Sequence, residues 1–370
     1  MKVIFKDVVK RANTKEDRFN TEKIYYVGGE HIHSNELLIN ERGIIKGSTI
    51  GPMFYFGFKA GQVLFVTRNP HLRKAAMVEF DGICSEKTLV LETMNPSVLS
   101  QDYLPIIMQS DNFWHYCEEH KSGGVNYFIN WSTLADYEFE LPSLEEQHSH
   151  SQKIWAAYRL RESYKKLLAA TDEMVKSQFI EMFGYDRYSK FELDAIAKSW
   201  SKGQSFKKDN ICKDGKQKCI HYGELFTEYG PIIDEVVSST NSLAIKKSTK
   251  GDILFPASDV TPIGLARCST IMQDDILLGG DIIILSLNGQ IPEYVSFAIN
   301  MQKEQLIKRV TGSVVRHMSA KSLKSLTIPL PPVDKQKMFV DIMRQADKSK
   351  FELKQCIENI DKVIKSLINR

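Results

Sequence analysis

The sequence predicts an α+β protein built from two copies of one unit, each an α/β domain followed by a long helix. Three observations predict it. The phrase ELPSLEEQ in the middle of the chain returns as PLPPVDKQ near its end. A β-rich region with Gly, Asn and Pro turn signals precedes each phrase, and a long helical stretch follows each. At 370 residues and 42% hydrophobic content, the chain exceeds a comfortable single core and suits two domains of ordinary size.

The repeat holds its register. Leu141-Pro142 aligns with Leu330-Pro331 and Gln147 with Gln336, an offset of 189 in both cases. At that offset SGGVNYFINWSTLADYEFELP (122–142) lies over TGSVVRHMSAKSLKSLTIPLP (311–331), which pairs Gly123 with Gly312, Val125 with Val314 and Leu134 with Leu323. Upstream, GQVLFV at Gly61 matches GDILFP at Gly251 at an offset of 190, and FKDVVKRA (5–12) overlays LDAIAKSW (193–200) at 188. The domains are therefore placed at residues 1–143 and 185–332, with helices over 144–184 and 333–370.

In the second copy, GDILFP and DIIILSL are short apolar runs bounded by Gly, Asp and Asn, the pattern of buried strands. The C-terminal helix carries Phe339, Ile342, Ala346, Leu353, Cys356, Ile360, Val363 and Leu367 at three- and four-residue steps, with Ser349 filling one step. That is a coiled-coil seam and needs a partner. The first helix offers Ala157, Leu160, Tyr164, Leu167, Thr171 and Met174 at the equivalent positions. The pairing residues are placed at Leu160, Leu167, Leu353, Ile360 and Leu367, with Val363 also expected in the seam. Gly184 follows the first helix as a stop. Such helices would extend roughly 50 to 60 Å.

Composition excludes several classes of function. With 49 basic against 46 acidic residues, the net charge of +3 means that binding nucleic acid needs local gathering of cations. The charged start MKVIFKDVVKRANTKEDRF and the lack of any apolar run near 18 residues place the protein in the cytoplasm with no membrane partner. Six cysteines form no CxxC pair and read as reduced, idle thiols. His148 and His150 sit at a helix start without further ligand-type residues, so no metal is expected.

Motifs for catalysis are missing. The base-clasping Asn/Asp-Pro-Pro-aromatic loop of an amino-methyltransferase has no match, the nearest strings being NPH at Asn69 and NPS at Asn95. A P-loop is excluded because Gly215-Lys216 continues into Gln217.

Two globular copies with two long helices, together with specific wording, carry a resemblance. VLFVTRNPHLRKAAMVEFDGICSEKTLVL and GGVNYFINWSTLADYEFELPSLEEQ in the first copy, with KGQSFKKDNICKDGKQKCIHYGELFTEYGPIIDEV and TGSVVRHMSAKSLKSLTIPLPPVDKQ in the second, resemble the specificity (S) subunit of type I restriction-modification systems. The resemblance implies two target-recognition domains that each read one half of an asymmetric split DNA site, with a pseudo-two-fold arrangement and two antiparallel coiled-coil helices setting the gap. It also implies a non-catalytic chain whose partners are double-stranded DNA, two modification (methyltransferase) subunits and restriction (motor-nuclease) subunits. No cofactor is expected on this chain, S-adenosylmethionine and ATP being left to those partners. The alternative is a structural adaptor whose coiled coil joins two protein-binding domains.

Candidate DNA contacts follow from local clustering. TRNPHLRK places Arg68, His71, Arg73 and Lys74 in a turn-rich connection between apolar strands, and KGQSFKK does the same with Lys202, Ser205, Lys207 and Lys208. Cations neutralise phosphates or bond guanine edges, and amides suit adenine. The glycine-led segments before each LP add Asn126, Tyr127 and Asn130 in one copy and Ser313, Arg316 and His317 in the other, where glycine permits close approach to a phosphate. Their bland reading is a β-turn followed by a helix capped by Asn130 or Ser319, with Trp131 in the core. CIHYGELFTEYG contributes His221 and Tyr222, which packing would also explain, and Arg267 completes the set.

Overall fold

A computed structural model describes residues 1–184, 187–204, 210–212, 214–242 and 246–370. The chain forms two compact units, residues 1–167 with 353–370 and residues 168–352. Two helices, α1 (Leu144–Phe183) and α2 (Val333–Ile368), contribute to both units.

In the first unit the central sheet has the strand order Val9–Arg11, Thr88–Thr93, Val63–Val66 and Ala75–Met77, antiparallel throughout. All four residues of VLFV (63–66) are buried, which is why that run is apolar without alternation. A second sheet orders Gly43–Ile44, Tyr25–Val27, Gly82–Ser85 and Phe54–Phe58. Helices at Leu104–Gln109 and Asp111–Glu119 bring Phe113 and Trp114 onto Phe65, with ring centroids 6.1 and 5.7 Å away. The Ser110 hydroxyl caps the second of these helices by accepting from the Phe113 amide.

The second unit repeats the plan: Ala197–Lys202, Ile282–Leu287, Ile253–Pro256 and Ser269–Ile271 form the equivalent sheet, extended by Ile232–Ile233. GDILFP and DIIILSL supply its central strands, with Ile253–Pro256 buried throughout and Ile282–Leu285 buried in the other. In each unit the leading strand pairs antiparallel with the strand before LP: Lys2–Ile4 with Glu138–Glu140, and Lys190–Glu192 with Thr327–Pro329.

The repeated phrase has a structural cause. Gln147 and Gln336 are both fully buried just inside the starts of α1 and α2. The Gln147 amide donates to the carbonyls of Val98 (2.9 Å) and Pro142 (3.0 Å) and accepts from the Ser100 amide (2.9 Å). Gln336 donates to the Pro331 carbonyl (2.8 Å) and to Gln290 Oε1 (2.7 Å), and accepts from the Ile291 amide (3.0 Å). Each glutamine fastens the proline turn and a loop of its own domain to the helix start, satisfying backbone groups that would otherwise be buried unpaired.

The two long helices run antiparallel: the rise from Asp172 to Phe179 along α1 is matched by a fall from Lys350 to Phe339 along α2. Lys350 Nζ lies 2.9 Å from Asp172 in the second unit, and Arg161 Nη1 lies 2.9 Å from Asp361 in the first. The 189-residue offset carries Arg161 onto Lys350 and Asp172 onto Asp361.

The packed faces differ from the expected seam. Leu160, Leu167 and Met174 are about half exposed, as is Val363, and Cys356 is exposed. The buried face of α1 carries Ile154, Trp155, Tyr158 and Arg161 in one unit and Val175, Phe179 and Phe183 in the other; that of α2 carries Phe339, Val340, Met343, Ala346 and Ile364. Leu353, Ile360 and Leu367 are half-buried, with Ile360 and Leu367 packed against the first unit's core. Each helix must satisfy its own domain as well as its partner helix, so bulky aromatics set the phase, and a two-residue seam reads that phase wrongly.

Candidate nucleic-acid interface

The glycine-led segments fold as matching hairpins. Ser122 and Phe128 bridge across one, and Thr311 and His317 across the other. Gly123 and Gly312 both take the left-handed conformation, at φ +98° and +97°. A Cβ at either site would approach a backbone carbonyl oxygen, of Asn126 or Val315, to 2.7 or 2.2 Å, so glycine is required twice.

Each hairpin docks on the strand end leading into the next candidate segment. In the first unit, Arg68 bridges Phe128, the Asn69 amide donates to the Tyr127 carbonyl (2.9 Å), and the Ile129 amide donates to Thr67 (2.9 Å). In the second, Ser258–Asp259 pairs with Arg316–His317, and the Met318 amide donates to Ala257 (2.9 Å). A third segment joins this surface. The Asn35 amide donates to the Arg73 carbonyl (3.2 Å) in the first unit. In the second unit His221 and Tyr222, with rings 4.4 Å apart, line a groove of about 1000 Å³ together with Ser258, Asp259, Val260 and Val315.

This third segment contains a repeat that sequence reading passed over. Ile32-His33-x-x-Glu36-Leu37 and Ile220-His221-x-x-Glu224-Leu225 align at an offset of 188, a signal that would have placed His33 beside His221 as a candidate. The two glutamates serve different partners. Glu224 receives the His221 amide (2.6 Å) and the Ser238 hydroxyl, whereas Glu36 receives Tyr158, Arg161 and Lys165 from α1. His33 Nε2 lies 3.1 Å from Glu41.

The remaining predicted residues divide by what already holds them. His71, Asn126, Asn130, Lys202 and Ser313 are exposed. The Arg68 guanidinium stands 5.2 Å over the Phe128 ring, and Lys121 stands 4.5 Å over half-buried Tyr127. His317 is exposed, with Nδ1 3.2 Å from Ser258 Oγ, and the Arg316 guanidinium donates to the Gly312 carbonyl of its own turn. Three further cations also have structural partners. Arg73, itself left-handed at φ +50°, pairs with Asp111 at 2.6 Å, and Lys74 Nζ donates to the Gly29 carbonyl at 2.6 Å. Arg267 reaches the carbonyls of Phe226 and Tyr229 at 3.4 Å, and burial pulls its guanidinium below the ordinary pKa. Ser205, Lys207 and Lys208 lie outside the described residues.

Of the helix-start alternatives, Ser319 caps its one-turn helix through the Ser322 amide, while Asn130 makes no side-chain cap. Trp131 lies 6.2 Å from Phe5 against the core. Burial pushes the thiols of Cys84 and Cys219 up to about 12, so they are protonated and unreactive at neutral pH. Among the described residues there is no grouping of His, Cys, Asp and Glu suited to a metal ion, and no helix is long and apolar enough to cross a membrane.

Residues 185–362 match the family model described as the type I restriction modification DNA specificity domain. The chain is 23% identical over 385 residues to a protein named the type I restriction enzyme MjaX specificity subunit of Methanocaldococcus jannaschii, covering 95% of this chain and 87% of that one. Its fold is shared with the crystal structure of the type I restriction-modification S subunit from M. genitalium (TM-score 0.61, 14% identity, 99% of this chain and 95% of that one). A second structure, from work on complex assembly and conformational transition of the type I R-M system, gives a TM-score of 0.60 at 17% identity over 100% of this chain and 96% of that one. The fold is that of the type I S-subunit structures, a duplicated unit, and the second copy carries the match to the DNA specificity domain. Residues 185–362 carry the match to the specificity domain, and over 95% of its length the chain is similar to a type I specificity subunit.

Proposed function

We propose that each unit reads one half of a bipartite, asymmetric DNA site, and that α1 and α2 set the spacing between the halves and dock two methyltransferase subunits. The observation that carries this reading is the three-segment loop surface built twice on the same scaffold with different side chains. Arg68, Asn126 and Tyr127 occupy positions that Ser258, Val315 and Arg316 take in the second unit. A shared frame with divergent side chains around it is what a protein needs to read two different sequences. Arg73, Lys74 and Arg267 then support loops rather than contact DNA.

The chain is non-catalytic in this reading and works in the cytoplasm. S-adenosylmethionine and ATP belong to the methyltransferase and motor-nuclease partners. Duplex binding by the chain reconstituted with its methyltransferase is expected to weaken linearly in log affinity against log salt, with a slope near −0.9 per neutralised phosphate. A flat response would favour a protein adaptor, and methyl transfer by the chain alone would overturn the non-catalytic assignment.

Spacing has its own test. Inserting one heptad after Ala170 lengthens α1 by about 10 Å while nearly preserving its face, enough for up to roughly three more base pairs between half-sites. Mapping methylated adenines is expected to return the same half-sites with a longer gap. Changed half-site bases over an unchanged gap would refute the role of the helices as a spacer.

A further inference from the structure

Val125 and Val314 occupy equivalent positions at the tips of the two hairpins and are 92% and 81% exposed. A single exposed valine needs no explanation. Its recurrence does, because the neighbouring positions diverge: Gly124 faces Ser313, Asn126 faces Val315, and Tyr127 faces Arg316. The left-handed turn accounts for Gly123 and Gly312, but burial does not account for the valine, which stands in solvent in both units.

We infer that these valines are apolar tips that enter a groove of duplex DNA, one in each half-site, and pack against bases and sugars. This rests on the DNA-reading function proposed above and adds a contact that carries no hydrogen bond and no charge. Three features favour DNA over an apolar pocket on a protein. Cations flank both tips: Arg68 and Lys121 beside the first hairpin, Lys121 also pairing with Glu118 at 2.6 Å, and Arg316 in the second. The hairpins belong to the same surface as the other candidate readers. A β-branched side chain loses little rotamer freedom when it is inserted, so a rigid valine makes an economical wedge or methyl contact.

The test uses the full chain reconstituted with its methyltransferase, a duplex carrying the mapped methylation site, and a mixed-sequence duplex as control. Val125→Ser, Val314→Ser and the double variant are expected to weaken binding to the mapped site by roughly tenfold or more per tip, the loss expected when a valine is no longer buried. The slope of log affinity against log salt should stay at the wild-type value, because a valine neutralises no phosphate. Val125→Ile and Val314→Ile should bind like wild type. Thermal unfolding should be unchanged in every variant, since the tips are exposed.

Wild-type affinity in the double serine variant, together with wild-type fluorescence of 2-aminopurine placed in each half-site, would overturn the inference while leaving the DNA reading intact. Loss of methyltransferase capture with unaltered DNA affinity would overturn it in favour of a protein contact. If the wild-type complex itself shows no salt-dependent duplex binding, the broader functional proposal fails first.

Discussion

Arg161→Ala is expected to destabilise the unit of residues 1–167 and 353–370 by about 3 to 5 kcal/mol, the usual cost of removing one partner from a buried ion pair. Its side chain is 7% exposed and serves three carboxylates: Glu36, Glu162 at 3.0 Å and Asp361 at 2.9 Å. Burial works against the charge, but hydrogen bonds to Asp361 and Glu36 hold the guanidinium above its ordinary pKa, so it is ionised throughout the working range. Tyr158 donates to Glu36 at 2.6 Å, and Lys165 lies 3.3 Å from the same carboxylate. Removing the guanidinium strands Glu36 between a domain loop and α1, with half-exposed Lys165 left as its counter-ion among the described residues. It also releases α2 at Asp361.

Denaturant unfolding followed by tryptophan fluorescence reads this directly, because Trp114, Trp131 and Trp155 lie in this unit and only Trp200 lies in the other. Asp361→Asn should cost much less, since that carboxylate is about half exposed. Adding Glu36→Gln to the alanine variant should recover part of the loss by removing the orphaned charge. Equal stability of Arg161→Ala and wild type would show that the network contributes nothing.

Gln147→Leu and Gln336→Leu form the second large pair, each expected to cost its own unit about 2 to 5 kcal/mol. Leucine has similar volume, so the packing loss is small and the effect isolates the hydrogen bonds. Three backbone groups (the carbonyls of Val98 and Pro142 and the Ser100 amide) lose their partner in the first case. In the second, the Pro331 carbonyl, the Ile291 amide and the Gln290 side chain lose theirs. Glutamate at either site should be worse than leucine, because its carboxylate cannot donate to the carbonyls it would face. The two substitutions should affect separate unfolding transitions. Loss in only one unit would break the equivalence of the two glutamines.

The second glutamine also shows what was legible in the chain alone. Its recurrence at a constant offset, after Leu-Pro and before a long helical pattern, revealed the duplication and the helix starts at Leu144 and Val333. The buried strands were equally legible, since Val63–Val66 and Ile253–Pro256 are apolar throughout and bounded by turn residues. These are local signals: periodicity, turn chemistry and a repeated phrase all survive in one dimension.

The face each helix buries was decided by the fold. Leu160, Leu167 and Val363 satisfy a seam on paper yet stay exposed, because Trp155, Tyr158, Phe179 and Phe183 bury more area against the domains and turn the helices toward themselves. The roles of individual cations were likewise invisible. Arg68 and Arg73 are five residues apart in one loop, but only Arg73 meets Asp111, a residue 38 positions away. Whether a charge is spent internally or left on the surface depends on such distant partners, and that depends on how the chain returns to itself in three dimensions.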